Sequence, residues 1–391
     1  MTFELSYLEL YYEMNRCLWD YVIEGSDRGC DPIERQLHIL AKHLKTKFNG
    51  EDTTIHRVVN YALVEYHPDV LALSNYLNNI ENYMIDGDLD IEKMSTDHLL
   101  LMALRDRISV KNGFPSYATM VLSLENVELD RLRHQLNHRL NIQINEAKTL
   151  IKKYNLSLDH WNSGLRSINC SCELNHIKLI DQLMRLFPEA KNNLSIMRNE
   201  SPRMGYAVEA DQSEIWINVH RVDTLFDMSV FFHQIGHGLA HALDESSGIQ
   251  RIYSNFYEEL TGVLIERLME KMLSEEAQIC LKEIRCLQYT RFGIEALYEL
   301  DLWFSDTSPD DLFRAHYQKI MSGINDDPNY FIKRLKTTQP LYMYNYVLAD
   351  LTAENIISDG PDNLEDLAVY LKNRVFSNGQ SQHWINYLMN Y

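Results

Sequence analysis

Apolar residues recur every three or four positions through the first half of the chain. Leu10, Tyr11, Met14, Cys17, Leu18 and Tyr21 form one stripe, and Leu37, Ile39, Leu40, Leu44 and Phe48 another. This spacing gathers side chains on one face of an α-helix. Lys111-Asn112-Gly113-Phe114-Pro115 breaks the series before Ser116-Tyr117-Ala118 begins a new helix, because Gly and Pro both disfavour continuation. The strongest amphipathic run is Leu129 to Lys153, with Leu132, Leu136, Leu140, Ile144 and Ala147 on one side and Asp130, Arg131, Arg133 and Lys148 on the solvent side. From Leu5 to about Leu194 the pattern predicts helix after helix.

The pattern changes after Pro202. Met204-Gly205-Tyr206-Ala207-Val208, a polar turn at Asp211-Gln212-Ser213 and Glu214-Ile215-Trp216-Ile217-Asn218-Val219 predict a short β-hairpin or meander, rich in β-branched and aromatic residues. A helix capped at Asp223 or Thr224 follows and runs through Leu225, Phe226, Met228, Phe231 and Phe232 into His233. Past a loop at Glu245-Ser246-Ser247-Gly248, a second helix starts near Ser254 and carries Glu258, Glu259 and Glu266. No repeat or low-complexity linker divides the chain, so the expected organisation is a helical N-terminal region over residues 1–195 and a region over 196–391 that holds the candidate chemistry. The fold class is mainly α, with a small β-sheet beside the helix that bears His233.

Composition narrows the function classes. Hydrophobic content of 45% and charged content of 24% are those of an ordinary globular protein. A net charge of −19 argues against nucleic acid, which requires clustered Lys and Arg against phosphate. No basic-then-apolar leader opens the sequence, and no run of about 18 apolar residues crosses a membrane, so a cytoplasmic location without membrane association is expected. The six cysteines are scattered. Cys170-Ser171-Cys172 is the only tight pair, with His176 nearby but no further ligands to complete a knuckle, and reduced, partly buried thiols are expected.

Chemistry concentrates at His233-Gln234-Ile235-Gly236-His237. Histidines four positions apart on a helix lie about 40° apart around its axis, so both rings reach one metal ion. Zinc peptidases use His-Glu-x-x-His, where the Glu accepts a proton from water at the metal. Here that position is Gln234, whose amide has nearly the carboxylate's shape but accepts no proton at neutral pH. A third ligand is due from a later helix. Glu258 and Glu259 are both placed to serve, and only one can point inward. Glu266, seven residues beyond Glu259, nearly eclipses it and suits a carboxylate that orients a ligand histidine from behind.

With these residues in view, the stretch from Met204 to Glu266 resembles the thimet oligopeptidase and oligopeptidase F family of zinc metallopeptidases. The resemblance rests on Gly205-Tyr206-Ala207, the strand ending Trp216-Ile217-Asn218, the spacer Val222-Asp223-Thr224-Leu225, His233-x-x-Gly236-His237, and Glu259 to Glu266. Two later blocks, Pro340 to Tyr346 and Phe376 to Ser381, continue it in order. It implies a helical zincin-like peptidase fold with a central cleft, the N-terminal region forming one wall. It further implies one Zn2+ per chain on His233, His237 and Glu259, with Glu266 behind a ligand. Trp216, Ile217, Asn218, Tyr342 and Tyr344 are then substrate contacts, and Tyr346 is the hydroxyl that stabilises the oxyanion. The strand from Glu214 to Val219 becomes the edge along which an extended peptide pairs. His241 stands one position off the family's additional histidine, and the chain is shorter than typical members.

Two readings of Gln234 follow. In the first, the chain is a zinc-dependent endopeptidase or oligopeptidase for short unstructured peptides whose base has been exchanged from Glu to Gln, leaving it inactive or nearly so. In the second, it is a natural pseudo-peptidase that binds peptides without cleaving them. Retention of His233, His237, Glu259 and Tyr346 favours the first.

Overall fold

The computed structural model describes residues 3–21, 29–47, 53–85, 88–157, 161–168, 175–198, 206–211, 214–219, 222–320, 339–377 and 379. Met204, Gly205, Cys170, Cys172, Asn378, Gln380 and Ser381 lie outside them. The helices are α1 (Phe3–Trp19), α2 (Asp31–Lys47), α3 (Thr53–Glu65), α4 (Pro68–Asn78), α5 (Ile91–Lys111), α6 (Tyr117–Leu124), α7 (Leu129–Lys153), α8 (Trp161–Arg166) and α9 (His176–Leu186). They continue as α10 (Leu225–Leu243), α11 (Asn255–Glu270), α12 (Glu275–Phe304), α13 (Pro309–Tyr317), α14 (Met343–Asp359) and α15 (Leu364–Leu371). Strands β1 (Met84–Ile85) and β2 (Asp88–Leu89) make a small antiparallel pair, and β3 (Leu194–Arg198), β4 (Tyr206–Glu209) and β5 (Ile215–Val219) a three-stranded sheet. No helix among the described residues is long and apolar enough to cross a membrane.

The chain forms two compact units. One comprises Met1–Tyr7, Asp31–Ile144 and Arg291–Tyr344, the other Leu8–Cys30, Asn145–Thr290 and Asn345–Tyr391. In the first, α5 ends where Asn112 and Gly113 (φ 97°) turn the chain, and Ser116 caps α6 by accepting from the Thr119 N–H at 3.1 Å. Buried Arg105 is held by both oxygens of Glu65, at 3.0 and 2.8 Å. Asp301 accepts from Arg133 at 2.6 Å and lies 2.7 Å from His316 Nε2. A buried guanidinium needs such partners to offset its lost hydration.

The second unit is built around α10. Thr224 caps it, its hydroxyl oxygen accepting from the Asp227 N–H at 3.1 Å, which satisfies one of the orphan donors at a helix start. The helix is apolar nearly all round, with Phe231, Phe232, Ile235, Leu239 and Ala240 buried, as befits a helix enclosed on several sides. The three-stranded sheet and α11 both pack against it. Ser254 caps α11 by accepting from the Tyr257 N–H at 3.2 Å.

In the sheet, β5 lies in the middle, parallel to β3 and antiparallel to β4. The hairpin of β4 and β5 matches the sequence pattern, but β5 is not an edge. Residues 194–198 pair along its other side, so its backbone groups are taken on both flanks and cannot pair with an added strand. The expectation of free thiols also changes: Cys17 and Cys30 form a disulfide with their Cα atoms 5.9 Å apart, and cysteine usage no longer argues for a reducing compartment. Among the described residues Cys280 and Cys286 take part in no disulfide.

The approach of α10 to α11 depends on two glycines. A Cβ at Gly236 would stand 2.4 Å from the Thr261 carbonyl oxygen and 2.7 Å from Gly262 Cα. One at Gly262 would stand 2.5 to 2.7 Å from the His233 ring. Neither contact is tolerable, since real Cβ atoms do not come so close. Gly236→Ala and Gly262→Ala are each expected to lower stability by about 1–3 kcal/mol through overpacking. Urea unfolding with unchanged midpoints in both variants would contradict the crossing described here.

Candidate metal centre

The crossing brings the histidines of α10 against the carboxylates of α11. His233, His237 and Glu259 each offer one ligand atom, and these atoms all lie within 4.8 Å of one another. A tetrahedral zinc site with bonds of about 2.1 Å spaces its ligand atoms by about 3.4 Å, so small side-chain rotations close the set. His233 Nε2 is already 3.1 Å from Glu259 Oε2. Two imidazoles and a carboxylate are the donor set of catalytic zinc sites, and the residues present fit that ion.

Each histidine has a carboxylate behind it, hydrogen-bonded at His233 and at ion-pair distance at His237. Glu266 Oε1 lies 2.6 Å from His233 Nδ1, while its other oxygen accepts from Ser229 Oγ at 2.6 Å. Glu258 Oε2 lies 3.5 Å from His237 Nδ1. The two adjacent glutamates thus divide the work, Glu259 facing the ligand cluster and Glu258 backing the second histidine. Burial opposes a charge on His233, but the flanking carboxylates of Glu259 and Glu266 outweigh it and push its pKa up to about 10. His237 is shifted down by burial and by the neighbouring charge of His233. Ligation therefore competes with a proton at His233 and meets a neutral ring at His237.

Tyr346, on α14, completes the cluster. Its ring centroid is 6.0 Å from that of His233, and its hydroxyl lies against the Glu259 carboxylate. Burial, together with Glu259 and Glu266, raises its pKa well above the usual phenol value, which keeps it a neutral donor. Gln234 is half-buried on α10 between the two histidines. Trp216 is half-buried on β5, edge-on to Trp19 with ring centroids 5.6 Å apart. Ile217 and Asn218 are wholly buried, as is Tyr344 at 1% exposure, and Tyr342 is half-buried just ahead of α14.

One participant was given no role from the sequence. His241, four residues after His237, faces Glu258 with Nε2 at 3.3 Å and Glu209 with Nδ1 at 3.4 Å. The four-residue recurrence of His233, His237 and His241 was visible in the sequence. The carboxylate from β4 was not.

No protein-family model matches the sequence, and no curated protein sequence matches it. The fold, by contrast, is found in solved structures over most of their length. The protein CHT is 13% identical, with 100% of this chain and 94% of that one covered and a TM-score of 0.66. A carboxypeptidase from Pyrococcus furiosus is 11% identical over 100% and 94% of the two chains, with a TM-score of 0.61. The M32 carboxypeptidase from Deinococcus radiodurans R1 is 11% identical over 99% and 97%, with a TM-score of 0.56. The chain thus shares the mainly helical fold of metallocarboxypeptidases, with its three-stranded sheet, and carries a His-His-Glu group able to hold a metal ion.

Proposed function

We propose that this protein is a zinc peptidase scaffold for short unstructured peptides, whose hydrolytic step is silenced by Gln at position 234. The observation that carries this reading is the convergence of His233, His237 and Glu259 with Tyr346 at their side. Zinc held there supplies a Lewis acid for a peptide carbonyl and for water. The remaining work falls to the chain's own residues. Tyr346, kept protonated by its surroundings, donates to the oxyanion of the attacked carbonyl. Trp216 is an aromatic contact for peptide side chains. Position 234 is where a carboxylate takes the proton of water and hands it to the leaving amine; the Gln234 amide does neither at neutral pH.

The ordered sequence blocks resemble oligopeptidases, whereas the structures that share the fold include carboxypeptidases. The two readings agree on peptide hydrolysis at zinc and differ in where the chain is cut. A peptide binder that never cleaves is the remaining alternative, favoured by Gln234 itself.

Restoring the base tests the proposal. Zinc-loaded Gln234→Glu is expected to cleave a diverse set of short peptides while the unmodified protein does not. Mass spectrometry of the products separates internal cuts from stepwise loss of C-terminal residues, and no cleavage of any peptide would leave only the binder. In the restored protein, Tyr346→Phe is expected to lower kcat by about 100-fold to 1,000-fold. A loss under about tenfold would remove the oxyanion role.

A further inference from the structure

His233 and His237 are both backed by carboxylates, but the two supports are built differently. Glu266 lies between His233 Nδ1 and Ser229 Oγ, each at 2.6 Å, whereas Glu258 belongs to a longer string that leads away from the metal ligands. Its Oε1 faces His241 Nε2 at 3.3 Å, and His241 Nδ1 faces Glu209 Oε2 at 3.4 Å. The other oxygen of Glu209 accepts from Arg251 Nε at 2.6 Å. Arg251 in turn donates to the carbonyls of His241 at 2.7 Å and Asp244 at 3.2 Å, the last turn of α10, where a cation is favoured. Tyr253 stacks flat on His241 with ring centroids 4.4 Å apart and planes inclined by 12°.

We infer that His241, Glu209 and Arg251 are positioning residues that hold Glu258 behind His237 and so aim the second histidine at the metal. The inference rests on the metal reading given above. Three features of the arrangement support it. His241 has a carboxylate at each ring nitrogen, so it bridges Glu258 and Glu209 and has no nitrogen to spare for the metal itself. Glu209, His241 and Arg251 are all at least nine-tenths buried, at 1%, 7% and 6% exposure, where a charged group persists only among partners. Glu258, by contrast, has a side chain 25% exposed. One of its oxygens faces His237 and the other faces His241. Glu209 is itself anchored through its backbone, since Asn15 donates to its carbonyl at 2.8 Å. A carboxylate kept in place behind a ligand histidine orients the ring and makes it a better donor.

The test reads zinc affinity by competition with a chromophoric chelator, in the full chain. Glu258→Gln keeps the shape of the side chain at a partly exposed position, and its apo thermal unfolding is expected to match the unmodified protein. Its zinc affinity is expected to fall by about 10-fold to 100-fold, and the visible spectrum of the cobalt(II)-loaded form to change shape. His241→Gln is expected to lose a similar factor, and the double variant little more than either single one, because both act through one string. Zinc affinity within twofold of the unmodified protein in Glu258→Gln, or additive losses in the double variant, would overturn the inference alone. Absence of zinc binding in the unmodified protein would overturn the metal reading and this inference with it.

Discussion

The structure depends on how closely two buried helices cross. At Gly236 and Gly262 the backbones of α10 and α11 meet without side chains between them, and the His233 ring fills the space that a Cβ at Gly262 would occupy. Without that approach, Glu259 and Glu266 could not both reach His233, one at each nitrogen. Packing of this kind is unforgiving because interiors are filled to near crystal density. The candidate chemistry is thus a consequence of a steric fact about two glycines.

The same crossing creates an electrostatic difficulty. α11 buries Glu259, Glu266 and Glu270, and isolated carboxylates cannot remain charged in such surroundings. Each has a partner: Glu259 has His233 and Tyr346, Glu266 has His233 and Ser229, and Glu270 pairs with Arg285. Arg267, on the same helix, pairs with Asp350 of α14. Such pairs add little net stability relative to a hydrophobic core. What they supply is a set of charged groups in fixed places, which a metal centre requires.

Much of the local structure was legible because it follows from periodicity and caps. The amphipathic run from Leu129 to Lys153 has the bounds of α7, and Thr224 and Ser254 cap the two helices of the site. The histidine pair and the seven-residue spacing of Glu259 and Glu266 were readable for the same reason, since a helix sets which side chains share a face. Long-range pairings were not legible. Residues 194–198 are short and unremarkable as a strand, so nothing in the sequence placed them beside β5 and made it central. Cys17 and Cys30 carry no spacing signature, and their disulfide joins the end of α1 to the residue before α2. Glu209 meets His241 and Arg251 only because β4 lies along α10. Periodicity likewise could not divide roles between Glu258 and Glu259, since adjacent helical residues both reach the same region and the crossing angle decides which one faces the ligands.

The central claim is that α10 and α11 together hold one metal ion on His233, His237 and Glu259. Zinc content after dialysis against a metal-free buffer measures it most directly. The account predicts about one zinc per chain at concentrations well above Kd, and none in His233→Ala or Glu259→Ala variants that remain folded. Zinc-free unmodified protein that takes up no zinc when it is supplied, or retention of one zinc by both variants, would contradict it.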